Sequence, residues 1–227
     1  MHIKNIPSKF LRILYKKYPS IFPKNSFLDI LNGIYGHDKS VKKNIPVDSN
    51  LNELPWFTYP AIEYLSQFDL KEKDVFEWGS GNSSFFFAKR VRTITSVEIS
   101  IDWYNLGVQK LKSNQTLILS THDNYANEIV TKEKKYDLII IDGILREECA
   151  NIAPNYLKEG GLIIYDNSER DPNVCKKLRD LGFIEIDFHG LGPINFYSWT
   201  TSIFFKTLNF QPLNQQPIVP KGGISEN

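Results

Sequence analysis

The chain has 227 residues, 41% of them hydrophobic, with 13 glycines and 12 prolines, the composition of one globular domain with appendages. Lysine and arginine total 27 against 26 acids, a net charge of +1, which excludes a global electrostatic case for nucleic acid or for a strongly acidic partner. Cys149 and Cys175 are the sole cysteines; they sit in helix-like stretches without a metal-ligand pattern and suit a reducing compartment, the cytoplasm, rather than a disulfide scaffold. No window approaches the roughly eighteen apolar residues of a membrane span, and no signal-like apolar core is seen near the start, so neither a transmembrane helix nor a signal peptide is expected.

Residues 1–53 read as an N-terminal arm of helix and loop. Ser8 to Tyr18 predicts a short amphipathic helix, with Phe10, Leu14 and Tyr18 at four-residue spacing and Pro19 as its stop. Its expected role is packing on the domain or on a second copy, as a homodimer contact; membrane-surface binding is the weaker alternative, because its basic residues are few. Ile21 to Asn50, interrupted by Pro23, Gly33, Gly36 and Pro46, predicts a loop-rich lid or arm. The main domain is expected over 54–206. Leu54 to Phe68 turns helical from Pro60, with Ile62, Leu65 and Phe68 on one face. Phe57 reads as core, whereas Trp56 and Tyr59, rings with polar tips, are candidates for lining a substrate pocket.

The organising stretch is Asp74 to Arg90, where an apolar run passes through a glycine turn into a second apolar run: strand, tight loop, helix. Gly79 and Gly81 let the backbone turn sharply, and Ser83 or Ser84 can cap the helix. Such a loop is expected to leave amide N–H groups pointing outward at the C-terminal edge of a parallel sheet, where open α/β folds bind ligands. Glu98 closes the next strand-like run nineteen residues after Gly79, near the spacing at which an acid grips ribose hydroxyls.

From Asp74 the alternation is regular. Strands are predicted at 74–78, 93–99, 116–120, 136–142 and 161–166, with helices at 84–90, 103–112, 124–131, 145–158 and 172–181, which calls for a parallel sheet covered on both faces. Phe183 to Phe188 and Tyr197 to Lys206 follow with only a turn-rich loop between them, so they should pair antiparallel. The expected fold is α/β, a Rossmann-like doubly wound sheet, mostly parallel with an antiparallel seventh strand. Residues 207–227, polar and punctuated by proline and glycine, predict a disordered tail.

This order of elements resembles the class I S-adenosylmethionine-dependent methyltransferases over roughly residues 55–206. Glu77-Trp78-Gly79-Ser80-Gly81 looks like that family's first motif, Glu98 matches its ribose-binding acid, and Asp123 falls where the family contacts adenine. The resemblance implies S-adenosylmethionine as cofactor. A carboxylate at Glu77 suits the amino group and sulfonium of that ligand, and Ser84 stands where a dinucleotide loop has its third glycine, a departure from NAD binding.

Asp142 and the pair Asp166-Asn167 close the fourth and fifth strands and are the catalytic candidates. Their spacing is similar to that of the metal-dependent catechol and caffeoyl-coenzyme A O-methyltransferases, whose matching positions hold a divalent cation, and two carboxylates with an amide oxygen suit Mg²⁺. Gly143-Ile144-Leu145-Arg146, however, replaces the segment where those enzymes carry a lysine. The preferred expectation has no metal: Asp142 closes the cofactor pocket, and Asp166 and Asn167 act on the substrate directly. His122 and His189 have the chemistry of general bases but, with no second group placed beside either, read as polar surface residues. The function expected is methyl transfer to a small molecule, at oxygen, with no nucleic-acid partner. The alternatives are an NAD(P)-dependent oxidoreductase and a non-catalytic cofactor-fold binding protein.

Overall fold

The most apolar runs of the sequence become the inner strands of one sheet, because a strand covered on both faces has no solvent side for polar residues. The structure, a computed structural model, describes Ile13 and residues 16–18, 27–214 and 219–223. β1 (Asp74–Trp78) is buried throughout, β4 (Tyr136–Ile141) nearly so, and β5 (Leu157–Asp166) from Gly161 onward. β2 (Thr93–Glu98) and β3 (Gln115–Leu119) extend the sheet on one side, β6 (Ile184–Gly190) and β7 (Trp199–Phe205) on the other. The order is β3-β2-β1-β4-β5-β7-β6.

β1 to β5 pair in parallel, while β7 runs antiparallel to both β5 and β6. The antiparallel pair expected from the sequence is therefore present, with β7 inserted between β5 and the edge strand β6. One consequence matters for the site: β6 points the same way as β1 to β5, so the 191–198 loop that follows it lies at the same sheet edge as the glycine loop after β1.

Consecutive residues on a strand face opposite sides, which divides the interior into two cores. Phe76, Trp78, Ile139, Ile141 and Tyr165 pack under α5 (Arg146–Tyr156), α6 (Pro172–Asp180) and the stretch Tyr125–Lys132. Val75, Ile94, Ile140 and Ile164 pack under α2 (Tyr59–Leu65) and α3 (Asn82–Ala88). α4 (Ile101–Val108) follows β2 and buries none of its residues. The helix expected over 124–131 is a 3-10 helix, Tyr125–Lys132.

Residues 27–53 are more structured than a loop-rich arm. A π-helical turn, Asp29–Ile34, leads through Gly36 at φ +76° to α1 (His37–Lys43). A Cβ on Gly36 would lie 2.4 Å from the backbone of Asp48, so only glycine admits this close approach in a left-handed conformation. Ser40 Oγ donates to Val47 O at 2.7 Å and accepts from Val47 N at 3.0 Å, closing the loop behind α1. Of the helix expected over Ser8–Tyr18, only Ile13 and residues 16–18 are described, and the homodimer and membrane expectations attached to it fall outside the described residues.

A disordered tail starting at residue 207 does not hold for 207–214. Phe210 is buried with its ring 5.4 Å from that of Phe68, and Asp69 N and Leu213 N donate to Gln211 O and Gln67 O, each at 2.8 Å. One aromatic anchor and a few backbone hydrogen bonds dock a segment whose polar composition hides them. Among the described residues, no helix is long and apolar enough to cross a membrane.

Candidate functional site

The ends of β2, β1, β4, β5 and β7 follow one another along the C-terminal edge and border a cavity of about 680 Å³, within the roughly 300–1,000 Å³ of ligand pockets. At about 4.8 Å per strand the edge runs roughly 19 Å from β2 to β7. Glu98, the glycine loop, Asp142, Asp166 and Trp199 are met in that order, and all line the cavity.

Gly79 makes this edge possible. Its φ is +95°, and a Cβ there would sit 2.8 Å from the backbone of Asp142 and Gly143, so the loops after β1 and β4 touch through glycine alone. The loop's amides, however, are turned inward. Gly79 N donates to Val97 O at 3.0 Å, Ser80 N to Glu98 Oε2 at 3.2 Å, and Gly81 N to Ser84 Oγ at 3.2 Å. The expectation of outward amides is thus corrected; the capping reading holds for Ser84, which sits in the first turn and caps from within by accepting from Gly81 N, while Gly81 itself is the N-cap residue. A Cβ on Gly81 would meet nothing within 4 Å, so the loop offers a ligand open space rather than a phosphate cradle.

Glu98 is placed as expected, at the end of β2 and on the cavity wall. Its Oε1 accepts from Ile99 N and Ser100 N at 2.8 Å, and its Oε2 accepts from Ser80 N and from Ser80 Oγ at 2.9 Å. These bonds use the lone-pair directions of a carboxylate, so a ribose diol would compete with the Ser80 hydroxyl. Ile99 and Trp103 line the cavity beside it.

Glu77 does not line the cavity. It is fully buried beneath the loop, where Oε2 accepts from Ser84 Oγ and, at 2.6 Å, from Ser96 Oγ, while Oε1 has no partner among the described residues. Burial pushes its carboxyl up to about 7 against the serine hydrogen bonds. The first-motif acid is therefore buried support for the loop, with one orphaned oxygen.

The three candidate catalytic residues do come together, and Arg146 joins them. From the start of α5 its Nη2 donates to Asp142 Oδ1 at 3.3 Å, its Nη1 to Asn167 Oδ1 at 3.0 Å and to Asp166 O, and its Nε to Gly143 O at 2.8 Å. A guanidinium presents its donors in a fixed fork, and here that fork engages two of the three side chains that a divalent cation would have used, Asp142 and Asn167, and reaches Asp166 only at its backbone oxygen. Among the described residues no group of three or more histidine, cysteine, aspartate or glutamate side chains could hold a metal ion. Leu145 (φ +48°) and Asn167 (φ +54°) take left-handed conformations on either side of Arg146's contacts, local strain of the kind that gathers at functional sites.

Both acids are raised above the ordinary carboxylate range. Burial and then the neighbouring Asp166 charge raise Asp142, with Arg146 opposing; 18% of the Asp142 side chain still reaches the surface, which tempers that rise. Burial pushes Asp166 up to about 7, against hydrogen bonds from Thr201 Oγ1 at 2.5 Å and Trp199 Nε1 at 3.1 Å, both to Oδ1. Its Oδ2 has no hydrogen-bond partner among the described residues.

Of the two aromatic candidates, Trp56 lines the cavity and Tyr59 does not. Tyr59 is buried, with its ring centroid 4.4 Å from that of Tyr35 and its hydroxyl 3.4 Å from His37 Nδ1, because it opens α2 and faces the arm. Asp123 also misses the cavity; its side chain is 98% exposed, 3.8 Å from His122. His189 Nδ1 lies 2.7 Å from Thr200 Oγ1 across the β6–β7 pair. Sequence reasoning missed Tyr125, Arg170, Asn195, Tyr197 and Trp199, and the arm residues Asn44, Ile45 and Pro46, all on the cavity wall. The arm is held there by Asn82 Nδ2, which donates to Pro46 O at 2.6 Å, and by His37 Nδ1, 3.1 Å from Gly192 O.

No family model matches the chain, and no curated protein matches it in sequence. Solved structures do. An rRNA methylase from Streptococcus thermophilus is 16% identical with a TM-score of 0.51, covering 61% of this chain and 90% of its own. A protein provisionally described as an rRNA methylase from Clostridium thermocellum is 16% identical with a TM-score of 0.51, covering 64% and 92%. A precorrin-6y C5,15-methyltransferase from Geobacter metallireducens is 16% identical with a TM-score of 0.49, covering 60% and 82%. With its strand order and reversed β7, the chain has the fold of the class I S-adenosylmethionine-dependent methyltransferases.

Proposed function

We propose that this protein is an S-adenosylmethionine-dependent methyltransferase acting on a hydroxyl of a small molecule. The observation that carries the reading is the cavity edge itself, where Glu98, the open glycine loop and the raised pair Asp142 and Asp166 follow one another on a methyltransferase fold. The residues present fit the cofactor. Glu98 would hold the ribose, Ile99 and Trp103 supply an apolar slot for the adenine in place of Asp123, and the orphaned Glu77 oxygen adds negative potential below a cationic ligand. When bound, S-adenosylmethionine supplies an electrophilic methyl group on a sulfonium.

The chain's own residues supply the rest. Asp166, its Oδ1 held by Trp199 and Thr201, uses Oδ2 to take the proton of the acceptor hydroxyl and leaves an oxygen nucleophile. A base that titrates near the working pH is well matched to that transfer. Arg146 fixes Asp142 and Asn167 and offsets the Asp142 charge, so alignment is set by a guanidinium and no divalent cation is needed. The structural neighbours named for rRNA do not extend that substrate to this chain, whose net charge of +1 gives no overall attraction to nucleic acid. The buried, unpaired Cys149 and Cys175 fit a reducing compartment such as the cytoplasm.

Calorimetry decides the class. S-adenosylhomocysteine is expected to bind and NADH is not; the reverse would install the oxidoreductase, and binding of neither would leave a non-catalytic protein.

A further inference from the structure

Two cations line the cavity, and they differ in what they have left to give. Arg146 is committed to Gly143 O, Asp166 O, Asn167 Oδ1 and Asp142 Oδ1. Arg170, at the end of the short Ser168–Arg170 turn after β5, makes no side-chain hydrogen bond among the described residues. Its nearest acid is Glu169 at 3.8 Å, beyond hydrogen-bond distance, and Glu169 is itself anchored through Oε2 to Thr200 N at 3.0 Å. Arg170 is thus a guanidinium on the cavity wall with its planar fork unoccupied, and such a fork matches the two oxygens of a carboxylate.

The surrounding wall is aromatic. Trp56 is 39% exposed and Tyr197 55%, both on the cavity, with the Tyr197 ring 6.0 Å from that of Trp199 at 62°. Exposed rings of this size at a cavity mouth supply large contact area at low entropy cost and favour flat ligands. Charge then narrows the anion. Asp142 and Asp166 lie on the adjoining strand ends and Arg170 already offsets part of the Asp142 charge, so a dianionic phosphate would meet two acids with one guanidinium free to hydrogen-bond, whereas a monoanion asks less of it.

We infer that the β5–β7 end of the cavity binds an aromatic hydroxy-carboxylate as methyl acceptor, with Arg170 gripping its carboxylate and Trp56 and Tyr197 flanking its ring. This rests on the methyltransferase reading, and the experiment separates the two. Protein is first titrated with S-adenosylhomocysteine; absence of binding there overturns the methyltransferase reading and this inference with it. The saturated complex is then titrated with matched carboxylate and carboxamide pairs: salicylate, 4-hydroxybenzoate, 3,4-dihydroxybenzoate and 4-hydroxyphenylacetate, each against its amide, with phenyl phosphate as the dianion. At least one carboxylate should bind tenfold or more tightly than its amide and than phenyl phosphate. In R170Q that preference should vanish while S-adenosylhomocysteine affinity stays within twofold, and in Y197A both members of the pair should weaken together. Failure of every carboxylate to bind at millimolar concentration, an amide or phosphate bound as tightly, or a preference that survives R170Q overturns the inference; unchanged binding in Y197A removes the aromatic wall.

Discussion

The two ends of the same strands treat their acids in opposite ways. At the N-terminal edge Asp74 opens β1 and Asp137 lies in β4, and both are surrounded by cations. Asp74 accepts from Arg92 at 2.5 Å, Thr93 at 2.7 Å and Lys158 at 3.2 Å, while Asp137 takes Lys158 at 2.7 Å and the amide of Asp74 at 2.8 Å. Burial alone would raise Asp74, but these hydrogen bonds hold its carboxyl well below the usual range. At the C-terminal edge Arg146 bonds the Asp142 carboxylate but only the backbone oxygen of Asp166, Glu77 is buried below them, and all three acids are raised. One edge uses its acids to tie strands together. The other leaves them short of partners, and groups poised that way are what ligand binding and proton transfer require.

The largest expected effect breaks the functional edge. D166N keeps an oxygen acceptor for Trp199 and Thr201 but cannot take a proton, so turnover, followed as S-adenosylhomocysteine release, should fall by roughly 10²–10⁴-fold, the usual contribution of a general base. D142N should also lower the rate. Should both variants turn over the acceptor at the parent rate, the assignment of this edge as catalytic is lost.

Breaking the other edge should do the reverse. D74A removes hydrogen bonds to charged partners and leaves Lys158 and Arg92 less satisfied, at a cost of about 1–3 kcal/mol, read by urea denaturation, while the folded fraction still binds S-adenosylhomocysteine. The pH signs differ as well. A lowered carboxyl such as Asp74 adds stability that is fully present above the ordinary carboxylate range and is lost as pH falls through its folded value. A raised one such as Asp166 adds stability present below that range and lost as pH rises through about 7. D166N should therefore melt level with the parent near pH 4, below which both states hold the proton, and increasingly higher than it as pH rises to about 8, at roughly 2–4 °C for each kcal/mol. Equal melting at both values would mean that Asp166 is not raised.

Glu98 tests the cofactor half. E98A removes a charge-assisted acceptor, each such bond being worth about 1.5–3 kcal/mol, and S-adenosylhomocysteine affinity should fall at least tenfold; E98Q, which keeps an oxygen for the Ser80 contacts, separates loss of ribose binding from loss of loop support. Smaller still is the role of Arg146 as the shared cation. Since it lowers both Asp142 and Asp166, R146Q should move the rising limb of the pH–rate profile to higher pH, and an unmoved limb would remove it from the electrostatics of the pair. Chelation with EDTA should change nothing, while restoration by Mg²⁺ after chelation would reinstate a metal.

Much of this was written along the chain. Alternating apolar runs and helical periods determined a doubly wound sheet, because buried parallel strands tolerate little else, and a short turn between two strand-like runs determined the reversed β7. The glycine loop, Glu98, Asp142, Asp166 and Asn167 could be named because each closes a strand, and strand ends of parallel neighbours share one edge. What depended on the third dimension is how those groups are paired. Glu77 turns inward because a side chain three residues into a buried strand has nowhere else to go, and Ser84 and Ser96 wait there. Asp123 faces solvent because it sits on a turn beyond β3 with no residue to pull it back. Arg146, Arg170 and Tyr197 of the 191–198 loop reach the cavity from elements roughly 20 to 50 residues apart, a convergence that no local spacing encodes. Composition also concealed the docking of Phe210 and the arm's place on the cavity wall, since one anchor in a polar segment carries no period. Strand order and polarity follow from local hydrophobic pattern; which acid meets which cation follows only from the packing of distant segments.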